Sequence, residues 1–172
     1  SEDGLTYTFT MRDGLKWSNG AELSAKDFEY AWKRMANPDT AADYSYLCAM
    51  FAGYDETKGL ADDDVVASED GKTLTVKLAA VTPYFLDLCA FPTFFPVYQD
   101  AVENNADWAN DAGENFVTNG AFTLKSWNHD SSMVYVKNPN YWDAANVTVD
   151  TMNVMLTSDD VSAYTAYQNG DL

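Results

Sequence analysis

The chain predicts an α+β fold, mixed or antiparallel sheets with helices packed on them, and three observations carry that prediction. Alternation in "LTYTFTMR" puts Leu5, Tyr7, Phe9 and Met11 on one face and Thr6, Thr8 and Thr10 on the other, the pattern of a half-buried strand. Shortly after it, "SAKDFEYAWKRMANP" holds a start signal, an apolar stripe at helical spacing and a stop signal. From Phe116 the texture changes again, and "GAFTLKSW", "SMVYVKN" and "TVDTMNVMLT" read as three strands of one antiparallel sheet.

The elements follow in order. After the first strand come turns at Asp13-Gly14 and Ser18-Asn19-Gly20. Ser24 is a good N-cap, with Asp27 three residues on to complete a capping-box-like pair. Ala25, Phe28, Ala31, Trp32 and Met35 recur at helical spacing until Asn37-Pro38 ends the helix. "DYSYLCAMFA" suggests a short aromatic helix over residues 43–52. A hairpin is expected from "VVAS", a turn at Glu69-Asp70-Gly71, and "TLTVKLA" with Leu74, Val76 and Leu78 on one face. Pro83 opens a further helix whose apolar surface is "PYFLDLCAF", and another helix is expected near 97–104 after Pro92 and Pro96. The first two C-terminal strands join around Asn128-His129-Asp130 and the second pair through "PNYWDAANV". Val161 to Gln168 returns to helix, stopped at Asn169-Gly170.

Composition bounds the function. With 172 residues, 47% of them hydrophobic and 15% aromatic, the chain can fill a sizeable core. A net charge of -17, from 27 acids against 10 bases, repels polyphosphates, so nucleic acid is not an expected partner. No apolar run reaches the roughly 18 residues of a membrane span, and "SEDGLTY" lacks the marks of a signal peptide. Cys48 and Cys89 form no CxxC motif; they read as two buried free thiols, or as a single bridge in an oxidising compartment. Asp62-Asp63-Asp64 lacks the spaced ligands of a calcium loop and reads as a solvated turn.

The usual catalytic constellations find little here. The one histidine, His129, sits in a turn among Asn, Asp and Ser, away from any obvious nucleophile. His and Cys are too few for a metal set built on them, and neither phosphate-binding glycine motif is present, so no cofactor and no metal are expected. The 27 acids do not single out a catalytic pair. Aromatic surface remains, from five Trp, eleven Tyr and nine Phe. In "DYSYL", Tyr44 and Tyr46 lie two apart, and a short helix cannot bury both on one stripe, which makes them candidates for a binding wall.

The order of motifs carries a resemblance. "YTFTMRDGLKWSNGAELSAKDFEYAWKR", "NPDTAADYSYL", "DGKTLTVKLAAVTPYFLDL", "VTNGAFTLKSW", "VKNPNYWDAANV" and "YQNGDL" together resemble the extracytoplasmic oligopeptide-binding proteins of bacterial ABC importers, the peptide and nickel solute-binding family. The resemblance implies part of a type II periplasmic-binding-protein-like fold. Residues 1–96 would form most of the family's additional small domain, lacking its N-terminal part, and 97–172 part of the ligand-binding lobe adjoining the hinge. Trp17 and the Ser18-Asn19-Gly20 turn would anchor the first strand and helix of that additional domain. The chain resembles an internal fragment, with the second lobe outside it.

By the same resemblance Tyr44 falls where relatives place an aromatic facing the ligand, and Asn119 near the hinge side of the cleft. Where the family's loop usually ends in Tyr, this chain has Phe122, without the hydroxyl. The implied function is capture of oligopeptides or a related small solute and delivery to membrane permease subunits by lobe closure. It would be performed without catalysis, by a monomeric periplasmic or lipid-anchored protein. A carbohydrate-binding or glycosidase-like module is the alternative, and it would place exposed aromatics on one sheet face.

Overall fold

Ser24 opens the longest helix, α1 (Ala25–Ala36), through a complete capping box. Its side chain accepts from Lys26 N–H, while Asp27 Oδ2 accepts from the Ser24 N–H at 2.8 Å. Two of the four otherwise unpaired donors at the helix start are thereby satisfied. At the far end Asn37 stops the helix and its side chain accepts from Asp39 N–H, starting the 3-10 turn Pro38–Thr40. The computed structural model describes all residues, 1–172.

The chain divides into two units, one of residues 1–15 and 22–100, the other of residues 16–21 and 101–172. In the first, strands β1 (Thr6–Thr10), β2 (Val65–Ala67) and β3 (Thr73–Lys77) form an antiparallel sheet in the order β1-β3-β2. Tyr7 pairs with Val76 and Phe9 with Leu74, so the apolar faces of both strands coincide. Helix α1 packs on that face, burying Ala31, Trp32 and Met35. Trp32 is 2% exposed; its Nε1–H donates to Phe94 O at 2.8 Å, and Phe85 and Phe94 meet its ring edge-on. A buried indole keeps its one donor satisfied in this way while contributing its full apolar area.

Two helices and one acidic residue differ from expectation. Residues 45–50 (Ser45–Met50) adopt a 3-10 rather than an α-helix, held by bonds such as Leu47 N–H to Tyr44 O. The helix after Pro83 shrinks to the single turn α2 (Phe85–Leu88). Pro92 forces Phe91 to extended backbone, and the 3-10 turn Pro92–Phe94 follows at once. Asp64, expected in a solvated turn, is 2% exposed. Its Oδ1 accepts from Gly53 N–H at 2.9 Å, and its Oδ2 accepts from Gly53 N–H and Ala61 N–H at 3.0 Å each. A Cβ on Gly53 would lie 2.5 Å from Ala61 Cβ and 3.0 Å from Asp64 Oδ2, so the close approach requires glycine.

In the second unit, β4 (Phe122–Asn128), β5 (Ser132–Lys137) and β6 (Thr151–Met155) form an antiparallel meander. A bulge interrupts the β4–β5 register between Leu124 and Ser126. Asp130 closes the first turn with a φ of 61°, a conformation that Asp tolerates better than most residues. A short helix, α3 (Gln99–Asn104), spans the division between units. The last helix, α4 (Asp160–Asn169), begins at an Asp159 cap and ends at left-handed Gly170. Residues 16–21 belong with this second unit, which corrects the expectation that the Trp17 turn anchors the first strand and α1.

Candidate functional site

In the first unit the chain leaves α1, turns through left-handed Ala41 (φ 50°), and presents Tyr44 at the start of the 3-10 helix. Tyr44 is 45% exposed and Tyr46 62%, with ring centroids 6.0 Å apart. Further along the same segment Cys48 and Phe51 are buried in the core, which anchors it. Phe91 meets Tyr44 edge-on, centroids 5.1 Å apart at 80°. The result is a three-ring cluster with two phenol hydroxyls, able to cover apolar ligand surface and to offer hydrogen bonds at its rim. Phe91 is absent from the sequence expectation. Its signal is the length of the apolar run "CAFPTFF", which exceeds what one short helical stripe can bury.

Asn119 lies in the second unit, half-buried, in a loop held by backbone and amide clamps. Ser18 N–H donates to Thr118 O at 2.7 Å, and Thr118 N–H donates to Ser18 Oγ at 3.1 Å. Asn138, fully buried, donates Nδ2–H to Gly120 O at 2.8 Å and accepts at Oδ1 from Asn140 N–H. Asn140 donates in turn to Ser18 O at 3.0 Å. The three blocks "WSNG", "TNGAF" and "NPNYW" thus meet in one polar network that fixes the backbone on both sides of Asn119. Buried amides in such a network specify one arrangement because each unmade bond is expensive.

Other reactive side chains are occupied structurally. His129 stacks on Trp127 at 4.4 Å, and its Nε2 lies 3.9 Å from Asp111. Both cysteines are free; burial pushes the Cys48 thiol up to about 12 and that of the half-buried Cys89 to about 11. No group of three or more His, Cys, Asp or Glu side chains is arranged to hold a metal ion. No helix is long and apolar enough to cross a membrane. The exposed aromatics Tyr44, Tyr46, Tyr84, Phe95, Trp142, Tyr164 and Tyr167 all lie outside the strands, so no sheet face carries the ring array of a glycan platform.

Compared with known structures, the fold is that of the periplasmic oligopeptide-binding proteins. It matches the substrate-binding domain of an oligopeptide ABC transporter from Bacillus anthracis with a TM-score of 0.92 at 34% identity, covering 100% of this chain and 34% of that one. It matches Listeria monocytogenes OppA bound to peptide with a TM-score of 0.91 at 35% identity, covering 100% of this chain and 35% of that one. More narrowly, the family model for bacterial extracellular solute-binding proteins, family 5 Middle, matches residues 1–172, and the chain belongs to that family. The oligopeptide-binding protein OppA of Bacillus subtilis is 39% identical over 175 residues, which is 100% of this chain and 32% of that protein. The chain therefore spans about a third of the length of these relatives.

Proposed function

We propose that this chain works as part of a longer substrate-binding protein of an ABC importer. That protein captures oligopeptides outside the cytoplasm and passes them to membrane permease subunits. The whole-chain match to the solute-binding family carries the reading, supported by relatives named for oligopeptide binding and by one solved with peptide bound. On this reading residues 1–96, apart from the turn at 16–21, serve as most of an additional small domain and 97–172 as part of a ligand-binding lobe. Tyr44 and Tyr46, backed by Phe91, supply an aromatic wall for ligand side chains, and Asn119 supplies a polar contact from its clamped loop.

The reading assigns no catalysis and no cofactor to the protein. It acts as a monomer, in the periplasm or tethered by lipid at the cell surface. Peptide recognition in this manner depends on extended-strand hydrogen bonds from more than one lobe, so the 172 residues alone bind peptide feebly or not at all. Thermal unfolding of the full-length protein with pools of short peptides tests the reading. A ligand that binds only the folded form raises the midpoint with concentration; no shift with any pool counts against it.

A further inference from the structure

The aromatic cluster of the first unit is built from two chain segments that carry no cation. Residues 35–57, which hold Tyr44 and Tyr46, contain four carboxylates, Asp39, Asp43, Asp55 and Glu56, and no Lys, Arg or His. Residues 78–100, which hold Phe91, contain Asp87 and Asp100 and again no base. Three lysines of the same unit are committed to other partners: Lys33 to Glu29, Lys72 to Asp13 and Lys77 to Asp63, at 2.6, 2.8 and 2.6 Å. Asp43, directly before Tyr44, and Asp87, four residues before Phe91, are exposed and enter no ion pair.

The rings set the chemistry of what can rest on them. Tyr44 lies between the other two, 6.0 Å from Tyr46 at 41° and 5.1 Å from Phe91 at 80°, so neither neighbour stacks flat on it. With Tyr44 45% and Tyr46 62% exposed, ring surface stays open to a ligand. An aromatic face carries the negative side of its quadrupole and attracts a cation held over it, a guanidinium above all. The unpaired carboxylates add to that attraction, whereas a ligand carboxylate would find no cation in either segment. A neutral side chain gains the contact area alone, without either electrostatic contribution.

We propose that the wall formed by Tyr44, Tyr46 and Phe91 is a subsite for a cationic side chain, so that the peptides captured are ones carrying Arg or Lys. This inference rests on the proposed function and narrows its ligand class. The net charge of -17 acts in the same direction at longer range, drawing cationic peptides in and repelling acidic ones.

Calorimetry on the full-length protein tests the assignment, with alanine tetrapeptides carrying one Arg, citrulline, Phe or Glu at each position in turn. Citrulline keeps the shape of Arg and removes its charge. At the position that reaches the wall, Arg binds about 10-fold tighter than citrulline or Phe, and Glu binds weakest. Tyr44→Leu combined with Tyr46→Leu removes the open π faces and brings Arg and citrulline within about 2-fold of each other, whereas Tyr44→Phe combined with Tyr46→Phe keeps the preference. Both tyrosines are exposed, so neither pair of substitutions empties the core. Citrulline or Phe equalling Arg at every position overturns the inference and leaves the proposed function standing. An Arg preference that survives the double leucine change overturns it too, because the preference then arises elsewhere. Binding of none of the tetrapeptides overturns the proposed function and this inference with it.

Discussion

Replacing Asp64 by alanine removes the acceptor for two backbone donors, Gly53 N–H and Ala61 N–H, at a site that is 2% exposed. A buried donor left without a partner costs about 1–3 kcal/mol. Two of them put Asp64→Ala at about 2–6 kcal/mol for the first unit. Asp64→Asn keeps one carbonyl oxygen but turns an amide donor toward the same N–H groups, and should lose about half as much. Urea unfolding followed by circular dichroism reads the loss as a midpoint lowered by about 1–3 M at a slope of about 2 kcal/mol/M. Exchange at Gly53 and Ala61 confirms that the local bonds are the ones broken. A change for Asp64→Ala within about 0.5 kcal/mol, the range of ordinary surface substitutions, would return Asp64 to the solvated turn and refute the capping role.

In the full-length protein, Tyr44→Ala should weaken peptide binding. With 45% exposure of a ring side chain worth about 200 Å², about 90 Å² is open to a ligand, or about 2 kcal/mol at 25 cal/mol/Å². Calorimetry should show about a 30-fold loss, while Tyr44→Phe stays within about 3-fold by the modest net worth of one hydrogen bond. A colorimetric disulfide reagent at pH 8 should leave native Cys48 unmodified and label Cys89 slowly, with both reacting in urea; their thiols stand near 12 and 11. Acid should also weaken the fold. Asp13 and Asp63 are held below their ordinary 3.8 by hydrogen bonds from Lys72 and Lys77, and Asp55 and Asp70 by those from Thr57 and Ser68. A lowered folded-state value means stability that is fully present above 3.8 and lost as pH falls through the folded values. Unfolding free energy should therefore decline below about pH 4 by that linkage, and a flat profile from pH 5 to pH 2.5 would contradict it.

What was legible in the chain is what neighbouring residues decide. The Ser24–Asp27 box, the Asn37-Pro38 stop and the Asp159 and Gly170 ends of α4 are written in local hydrogen bonding. The hairpins follow from alternation joined by Gly71 and Asp130 turns, both with positive φ. The exposure of Tyr44 and Tyr46 follows from a stripe too narrow for both. What was not legible depends on residues far apart. Ser18 meets Thr118 across 100 positions and Asn140 across 122, so the Trp17 turn, read by proximity as part of the first strand's neighbourhood, belongs to the other unit. Asp64 looks like its two acidic neighbours in sequence, and only the approach of Gly53 buries it. Phe91 meets Tyr44 after Pro92 holds it in extended backbone beyond the single turn α2, and that contact across 47 positions is a matter of tertiary packing.

On the proposed function, these 172 residues contribute to peptide capture only as part of a longer protein. Calorimetric titration of the same short peptides into the full-length protein and into the 172-residue chain, at matched concentration, tests it most directly. Binding should be saturable in the full-length protein and not measurable in the 172 residues. Micromolar affinity in the 172-residue chain alone, or no peptide binding by the full-length protein, would contradict it.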